Sequence, residues 1–328
     1  MKPANEGFRF DARYNHYYTG CVKKPMTPQT PSPPAYAFTT TVVIPAYNEA
    51  HGIATVVQRV RTALPAAEIL VVDDASSDAT GAAAAAAGAR VERHPANRGN
   101  GAAVKTGIRR ATGEVVLLMD ADGQMDPRYI PQILGGIDAG YDMVVGARTR
   151  ATQGDNIARR LGNRALDALG SYLVETEVRD LTSGYRAMRR SVIMEFIHLL
   201  PNRYSYPTTS TLALLKGGYG VGFVSIEGQK RGGGQSGQKL LKNGVRFGLI
   251  ILRMISLFAP LRVYFPVALG MFLLGMASWL LNIFLLEPTR GLYIPNSALL
   301  FFVGSIIVFM FGLLAEQIAA LRFQRRDA

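Results

Sequence analysis

Apolar and polar positions between residues 39 and 148 follow two interleaved rhythms. The runs "TTVVIP", "EILVVDD", "EVVLLMD" and "YDMVVGAR" are of strand length and apolar without a break, as expected of strands covered on both faces. Between them, "EAHGIATVVQRVRTAL", "SDATGAAAAAAG", "GNGAAVKTGIRRA" and "PRYIPQILGGIDA" have helical spacing, and "ARVERH" reads as a further short strand. Strand and helix in alternation predict an α/β fold, a mostly parallel sheet with helices on both faces. Past Arg150 the rhythm loosens. "NIARRLGNRALDALGSYLV" predicts an amphipathic helix, "DLTSGYRAMRRSVIMEFI" a loop and then a helix, and "GYGVGFVSIEG" another strand.

Near the C-terminus the pattern changes kind. Residues 263–286 and 291–315 carry no charge, and each is long enough for a helix across a bilayer core, which takes roughly 20 residues. Only "EPTRG" links them, so a transmembrane hairpin is expected. Its flanks, "KLLKNGVR" with Arg253 and Arg262 before it and "RFQRRDA" after it, are basic. The positive-inside rule then puts both flanks, and the domain before them, on the cytoplasmic side of the cell membrane. "FGLIILRMISLFAPLR" is apolar with sparse arginines and predicts a helix lying in the membrane interface. The expected division is a proline-rich disordered extension (1–38), a cytoplasmic α/β domain (39–238), juxtamembrane helices (239–262), the hairpin (263–316) and a basic tail (317–328).

Composition sharpens this only in places. The chain of 328 residues has a formal charge of +12, yet no helix-turn-helix, zinc finger or aromatic-basic platform accompanies the charge, so nucleic acid is not an expected partner. Anionic lipid and phosphate-bearing substrates account for it. Cys21, the only cysteine, allows neither an internal disulfide nor a cysteine metal site. No apolar signal-peptide core opens the chain.

The candidate chemistry lies at strand ends, where open parallel sheets bind ligands. Asp73 and Asp74 close the second run, Asp120 and Asp122 close "EVVLLMD", and Arg148 closes "YDMVVGAR". Asp73 reads as a capping residue. An Asp-x-Asp at a strand end suits a divalent cation shared with phosphates, and hard oxygen ligands select Mg²⁺ or Mn²⁺, with Gln124 as a further oxygen. An EF-hand is excluded, since "DADGQMDPRYIP" has Gly at its fourth position and Pro at its twelfth. "RGNGAAVKTG" is neither a Walker loop nor a Gly-x-Gly-x-x-Gly, but Arg98 and Lys105 around it could pair with phosphates.

"VVIPAYNEA", "ILVVDDASSDAT", "NRGNGAAVKTGI" and "LLMDADGQMDP" resemble, in order and spacing, the nucleotide-sugar half of inverting family-2 glycosyltransferases of GT-A fold. "DLTSGYRAMRR" and "RGGGQSG" narrow the resemblance to the polyprenyl-phosphate glycosyltransferases, the group of dolichyl-phosphate mannose synthase and bacterial undecaprenyl-phosphate glucosyltransferases. It spans residues 39–262, and the paired C-terminal helices match the bacterial branch.

The resemblance implies that Pro45, Tyr47, Glu49 and Asp74 hold base and ribose, and that Asp120, Asp122 and Gln124 surround the metal and diphosphate. It makes Arg148 a phosphate-binding arginine and puts Ser183, Gly184 and Arg186 at the acceptor phosphate. Arg231 and Ser236 match a loop closing over the donor phosphates. Asp122, Arg148, Ser183 and Arg186 are the expected catalytic set. Where the family has Lys after that serine, this chain has Gly237, with Lys239 two residues on. A homotetramer is also implied.

The acceptor that the resemblance implies makes chemical sense. A sugar hydroxyl attacks only as it loses a proton, and so needs a carboxylate base; processive synthases of the superfamily carry one, with a Gln-x-x-Arg-Trp motif. This chain has neither, and its one tryptophan, Trp279, lies in an apolar segment. A polyprenyl phosphate is already ionised. The expected reaction is transfer from a nucleotide-sugar, UDP-glucose first and GDP-mannose second, to polyprenyl phosphate, with inversion. A hydroxyl acceptor and a non-catalytic nucleotide-sugar scaffold are the alternatives.

Overall fold

Seven strands, β1 (Thr40–Ala46), β2 (Glu68–Asp73), β3 (Arg90–Arg93), β4 (Val115–Leu118), β5 (Met143–Arg148), β6 (Arg186–Arg189) and β7 (Val221–Ile226), build one sheet in the order β3-β2-β1-β4-β6-β5-β7. The computed structural model describes residues 36–149, 157–203, 205–227, 255, 257–286 and 293–323. Only β6 runs against its neighbours, pairing antiparallel with both β4 and β5. The C-terminal ends of the other six strands therefore share one rim, and β6 starts there. β1 leads to β2 and β3 on one side and sits beside β4 on the other, so the strand order reverses between β1 and β4, where open sheets leave a ligand crevice.

β1 and β4 are buried at every position, as their unbroken apolar runs predict. Side chains leave the two faces alternately: Val43, Leu70, Val72, Val116 and Leu118 join one core cluster, and Val42, Ile44, Val71, Val115 and Leu117 the other. The second cluster includes residues of α1 (Ile53–Ala63), α2 (Thr80–Ala86) and α4 (Ile130–Asp138); the first includes residues of α3 (Asn100–Arg110), α5 (Ile157–Val174), α6 (Arg190–Phe196) and α7 (Tyr206–Lys216). The predicted helix opening at Pro127 begins instead as a 3-10 turn, Pro127–Tyr129.

Three expectations differ from the structure. "RAMR", read as loop leading to helix, is β6; a four-residue strand with arginine at both ends has no periodicity to announce it. Tyr36 and Phe38, assigned to the disordered extension, pack on the core with rings stacked 5.3 Å apart, and the Tyr36 hydroxyl donates to Pro131 O at 3.2 Å. Leu257, Phe258 and Ala259, expected in the membrane interface, are buried in the core cluster that holds α5 and α6. The extension through residue 35 and most of the juxtamembrane segment lie outside the described residues.

Two C-terminal helices, α8 (Leu261–Leu281) and α9 (Asn296–Phe323), are long and apolar enough to cross a membrane. They pack closely at glycines: a Cβ on Gly304 would come 2.5 Å from Met271 Cε, and one on Gly312 2.7 Å from Tyr264 Cβ. Their outer faces are bare, with Leu300 72% and Leu274 57% exposed. That much apolar surface calls for lipid or further protein.

Candidate active site

Glycines and left-handed residues shape the rim. Asn48, Ala75 and Asp180 have φ of 56°, 62° and 48°, conformations of the kind that gather at functional sites. After β1 the chain turns at Asn48, whose N–H donates to Ser76 Oγ at 3.0 Å while its own Oδ1 accepts from Ser77 N at 2.8 Å. The β1 and β2 loops are thus stitched together. Pro45 is buried in β1, Tyr47 stands out at 48% exposure, and the Glu49 N–H donates to Thr80 Oγ1 at 2.9 Å.

Asp120 and Asp122 follow β4, with Gly123 at φ 72° folding the turn so that Gln124 N donates to Asp122 Oδ1 at 3.0 Å. Burial, and then the charge of Asp122, push the Asp120 pKa up to about 6; Arg148 and Arg186 pull it down, and Glu49 adds to the rise. A carboxyl so placed gains from positive charge beside it. Asp120, Asp122 and Gln124 are an all-oxygen set that fits Mg²⁺ or Mn²⁺. Among the described residues, no three His, Cys, Asp or Glu side chains are grouped to hold an ion alone, so such an ion would need oxygens from a bound phosphate or water.

The 182–186 loop meets this pair because β6 begins at the rim. A Cβ on Gly184 would lie 3.2 Å from Asp120 Oδ2 and 3.0 Å from Tyr206 Oη, tighter than ordinary contact, so glycine suits this close approach. Burial raises the Tyr206 phenol, and the Asp120 charge raises it further. Arg148 lies by Asp180, its Nε 2.8 Å from Asp180 Oδ2 and its Nη2 2.8 Å from Asp180 Oδ1.

Several residues expected at ligands make hydrogen bonds within the protein. Ser183, 3% exposed, donates its hydroxyl to Gly146 O at 2.6 Å. Arg186 has no exposed surface; Nη1 donates to Pro207 O at 2.7 Å, Ser210 Oγ at 2.8 Å and Thr211 Oγ1 at 3.0 Å, and Nη2 donates to Ser183 O. Burial pulls its pKa down to about 10.

Asp74, expected at the base or ribose, turns inward. It accepts from Arg98 N at 2.9 Å and Gly99 N at 2.7 Å, and its Oδ1 lies 2.6 Å from His94 Nδ1. Lys105, expected on phosphate, donates to Leu200 O at 3.2 Å and to Asn202 Oδ1. The N–H groups of Gly101 and Ala102 donate to Arg203 O and Asn202 O, at 3.1 and 2.7 Å. The glycine-rich turn is thus a seat for the 200–203 turn; its amides are taken by protein carbonyls. The Arg98 side chain is exposed beside it. Arg231, Ser236, Gly237 and Lys239 lie outside the described residues.

The sequence reading missed Asp180, Thr182, Asp167 and Tyr206. Asp180 had a signal, an acid two residues before Thr182 in "RDLTSGYR". Asp167 had none, being one polar position among many on α5.

Comparison with known proteins gives this geometry a family. The model described as Glycosyl transferase family 2 matches residues 41–197, and that described as GtrB C-terminal hairpin matches residues 259–321. Polyprenol monophosphomannose synthase of Mycolicibacterium smegmatis is 36% identical over 47% of this chain and 63% of its own length. Undecaprenyl-phosphate 4-deoxy-4-formamido-L-arabinose transferase of Pectobacterium carotovorum subsp. carotovorum is 27% identical over 85% of this chain and 88% of its own. The chain thus spans just under two thirds of the first relative and most of the second.

Among solved structures, glucosyl-3-phosphoglycerate synthase from Mycobacterium tuberculosis, in complex with Mn²⁺, UDP and phosphoglyceric acid, shares the fold with a TM-score of 0.55. Identity there is 22%, over 67% of this chain and 78% of that one. The chain thus carries a glycosyl transferase family 2 domain over residues 41–197, followed by a GtrB-type C-terminal hairpin over residues 259–321.

Proposed function

We propose that the chain transfers a sugar from a nucleotide-sugar to polyprenyl phosphate at the cytoplasmic face of a membrane, inverting the anomeric carbon. One observation carries this reading: Gly184 brings the 182–186 loop against the Asp120 carboxylate, so the two expected substrate sides meet at the β1–β4 crevice. In this reading Pro45, Tyr47 and Glu49 form the nucleoside side and Arg148 takes a donor phosphate. Asp120, Asp122 and Gln124 would hold Mg²⁺ or Mn²⁺, which supplies positive charge to the departing diphosphate.

Asp74 and Lys105 support the donor side from behind, holding the 98–99 turn and the seat of α3. Ser183 and Arg186 anchor the acceptor loop from within. Alignment and charge are then the whole task, because a lipid phosphate attacks without giving up a proton. The apolar hairpin keeps enzyme and lipid in one bilayer, and its bare faces are where lipid or further copies of a homotetramer would sit. The names of the relatives support a polyprenol-type acceptor. UDP-glucose is the first donor; a relative named for phosphomannose makes GDP-mannose the second.

Membranes holding the chain, given undecaprenyl phosphate and either labelled donor, are expected to move label into the organic phase in a form that mild acid releases. Acid-resistant label in that phase points to a hydroxyl acceptor. Label bound but never extracted points to a scaffold. Either result overturns the proposal.

A further inference from the structure

We propose that Asp167 and Asp180 are positioning residues that set the Arg148 guanidinium for the donor's diphosphate; this rests on the reading of Arg148 as a phosphate-binding group. Arg148 ends β5 at the rim, and a dense set of bonds fixes its orientation. Its Nε and its backbone N–H both donate to Asp180 Oδ2, at 2.8 and 3.0 Å. Its Nη2 donates to Asp180 Oδ1 at 2.8 Å and to Thr182 Oγ1 at 2.7 Å, and the Thr182 hydroxyl donates to Asp180 Oδ1 at 2.9 Å. A two-point fork on a carboxylate fixes the plane of a guanidinium as well as its position. The pair is lopsided: the Asp180 side chain is 1% exposed, whereas that of Arg148 keeps 33%.

Asp180 does not hold this place unaided. Its φ of 48° is in the left-handed region, which residues with a side chain seldom adopt. Asp167 on α5 holds it there: Oδ1 accepts from Leu181 N at 2.9 Å and Oδ2 from Asp180 N at 3.2 Å. The chain of support runs from Asp167 through the 180–181 backbone to the Asp180 carboxylate and on to Arg148. A purely structural role explains it poorly. Buried ion pairs are weak stabilisers compared with apolar packing, yet here a carboxylate at 3% exposure and a strained backbone serve one arginine at the rim.

A double-mutant cycle separates positioning from bulk stability. The full chain in detergent micelles, at fixed Mn²⁺, is titrated with UDP and separately with GDP, for wild type, Asp167→Ala, Arg148→Lys and the double variant. Arg148→Lys keeps the charge and removes the fork. Losing a fixed geometry of this kind is expected to weaken binding of the nucleotide that the wild type takes about tenfold in Asp167→Ala, but less than about twofold when Arg148 is already lysine. Equal losses in both backgrounds, or a lowered Tm with Kd unchanged, overturn the inference. Should Asp167→Ala not fold, Asp167→Asn, which keeps one acceptor oxygen, takes its place in the cycle under the same criteria. Unchanged nucleotide affinity in Arg148→Lys, or a wild type that binds neither nucleotide, removes the phosphate role of Arg148 itself, a failure distinct from additivity.

Discussion

A guanidinium with no exposed surface must find its acceptors inside the protein, and Arg186 finds Pro207 O, Ser183 O and two hydroxyls of α7. Arg186→Ala would orphan those carbonyls and open a cavity, and is expected to cost on the order of 3 kcal/mol. Tm and activity should fall together; a kept Tm with lost activity would instead mark a ligand contact.

Asp122→Ala is the opposite case. Its carboxylate raises Asp120 and, among the described residues, bonds to the short turn at Gln124, so turnover is expected to vanish while Tm stays within a few degrees of wild type.

Glu68 gives a pH signature. Burial works to raise its pKa, but hydrogen bonds from Thr41 and Thr112 and the charge of Arg90 overcome it and hold the group at about 2, below the ordinary 4.5. A lowered carboxylate pKa contributes stability that is full above the ordinary value and is lost as pH falls through the folded one. The stability gap between wild type and Glu68→Gln should therefore shrink between pH 5 and pH 2, as read by urea unfolding. A constant gap contradicts the assignment.

Which residues were legible follows from this contrast. Asp120 and Asp122 could be placed at the rim because the unbroken apolar run of β4 ends just before them. Asp74 could not, since a strand-end carboxylate may serve a ligand or the amides of the next turn, and only the fold shows that Arg98 N and Gly99 N reach it.

Among elements, α3 shows what a motif's spacing leaves open. Arg98 and Lys105 around its glycine-rich turn were expected to pair with phosphates; the glycines admit the 200–203 turn, to which Lys105 bonds. A Cβ on Gly101 would come 2.1 Å from Pro201 O. Gly101→Ala is therefore expected to push that turn off α3, releasing Lys105 and lowering Tm by several degrees, as followed by circular dichroism. An unchanged Tm would show the turn to be loosely held.

Helices and core strands were legible where periodicity or apolar runs were long. β6 was not, because its pairing with β4 and β5 is set by tertiary contacts that four residues cannot announce. Nor was the burial of Phe258, which joins the cluster that also holds residues of α5. There Tyr172 and Arg262 exchange bonds, the Arg262 Nη1 donating to Tyr172 O at 2.6 Å and the Tyr172 hydroxyl to Arg262 O at 3.0 Å. The clasp ties the first apolar helix directly to the helix that carries Asp167.

At the scale of the whole molecule, an α/β unit with carboxylates at its crevice is joined to two helices whose bare apolar faces suit a bilayer. In the proposed function the substrate belongs to both phases: a lipid with an anionic head, which attacks without a carboxylate base. The direct measurement compares undecaprenyl phosphate with undecaprenol in vesicles holding the purified chain and Mn²⁺, reading nucleoside diphosphate release and product mass with UDP-glucose and GDP-mannose. Attack by an ionised head group predicts one nucleoside diphosphate released per sugar-phospholipid formed with one of these donors, and no product from undecaprenol. Comparable turnover with the phosphate-free alcohol, or none with the phosphate and either donor, would contradict it.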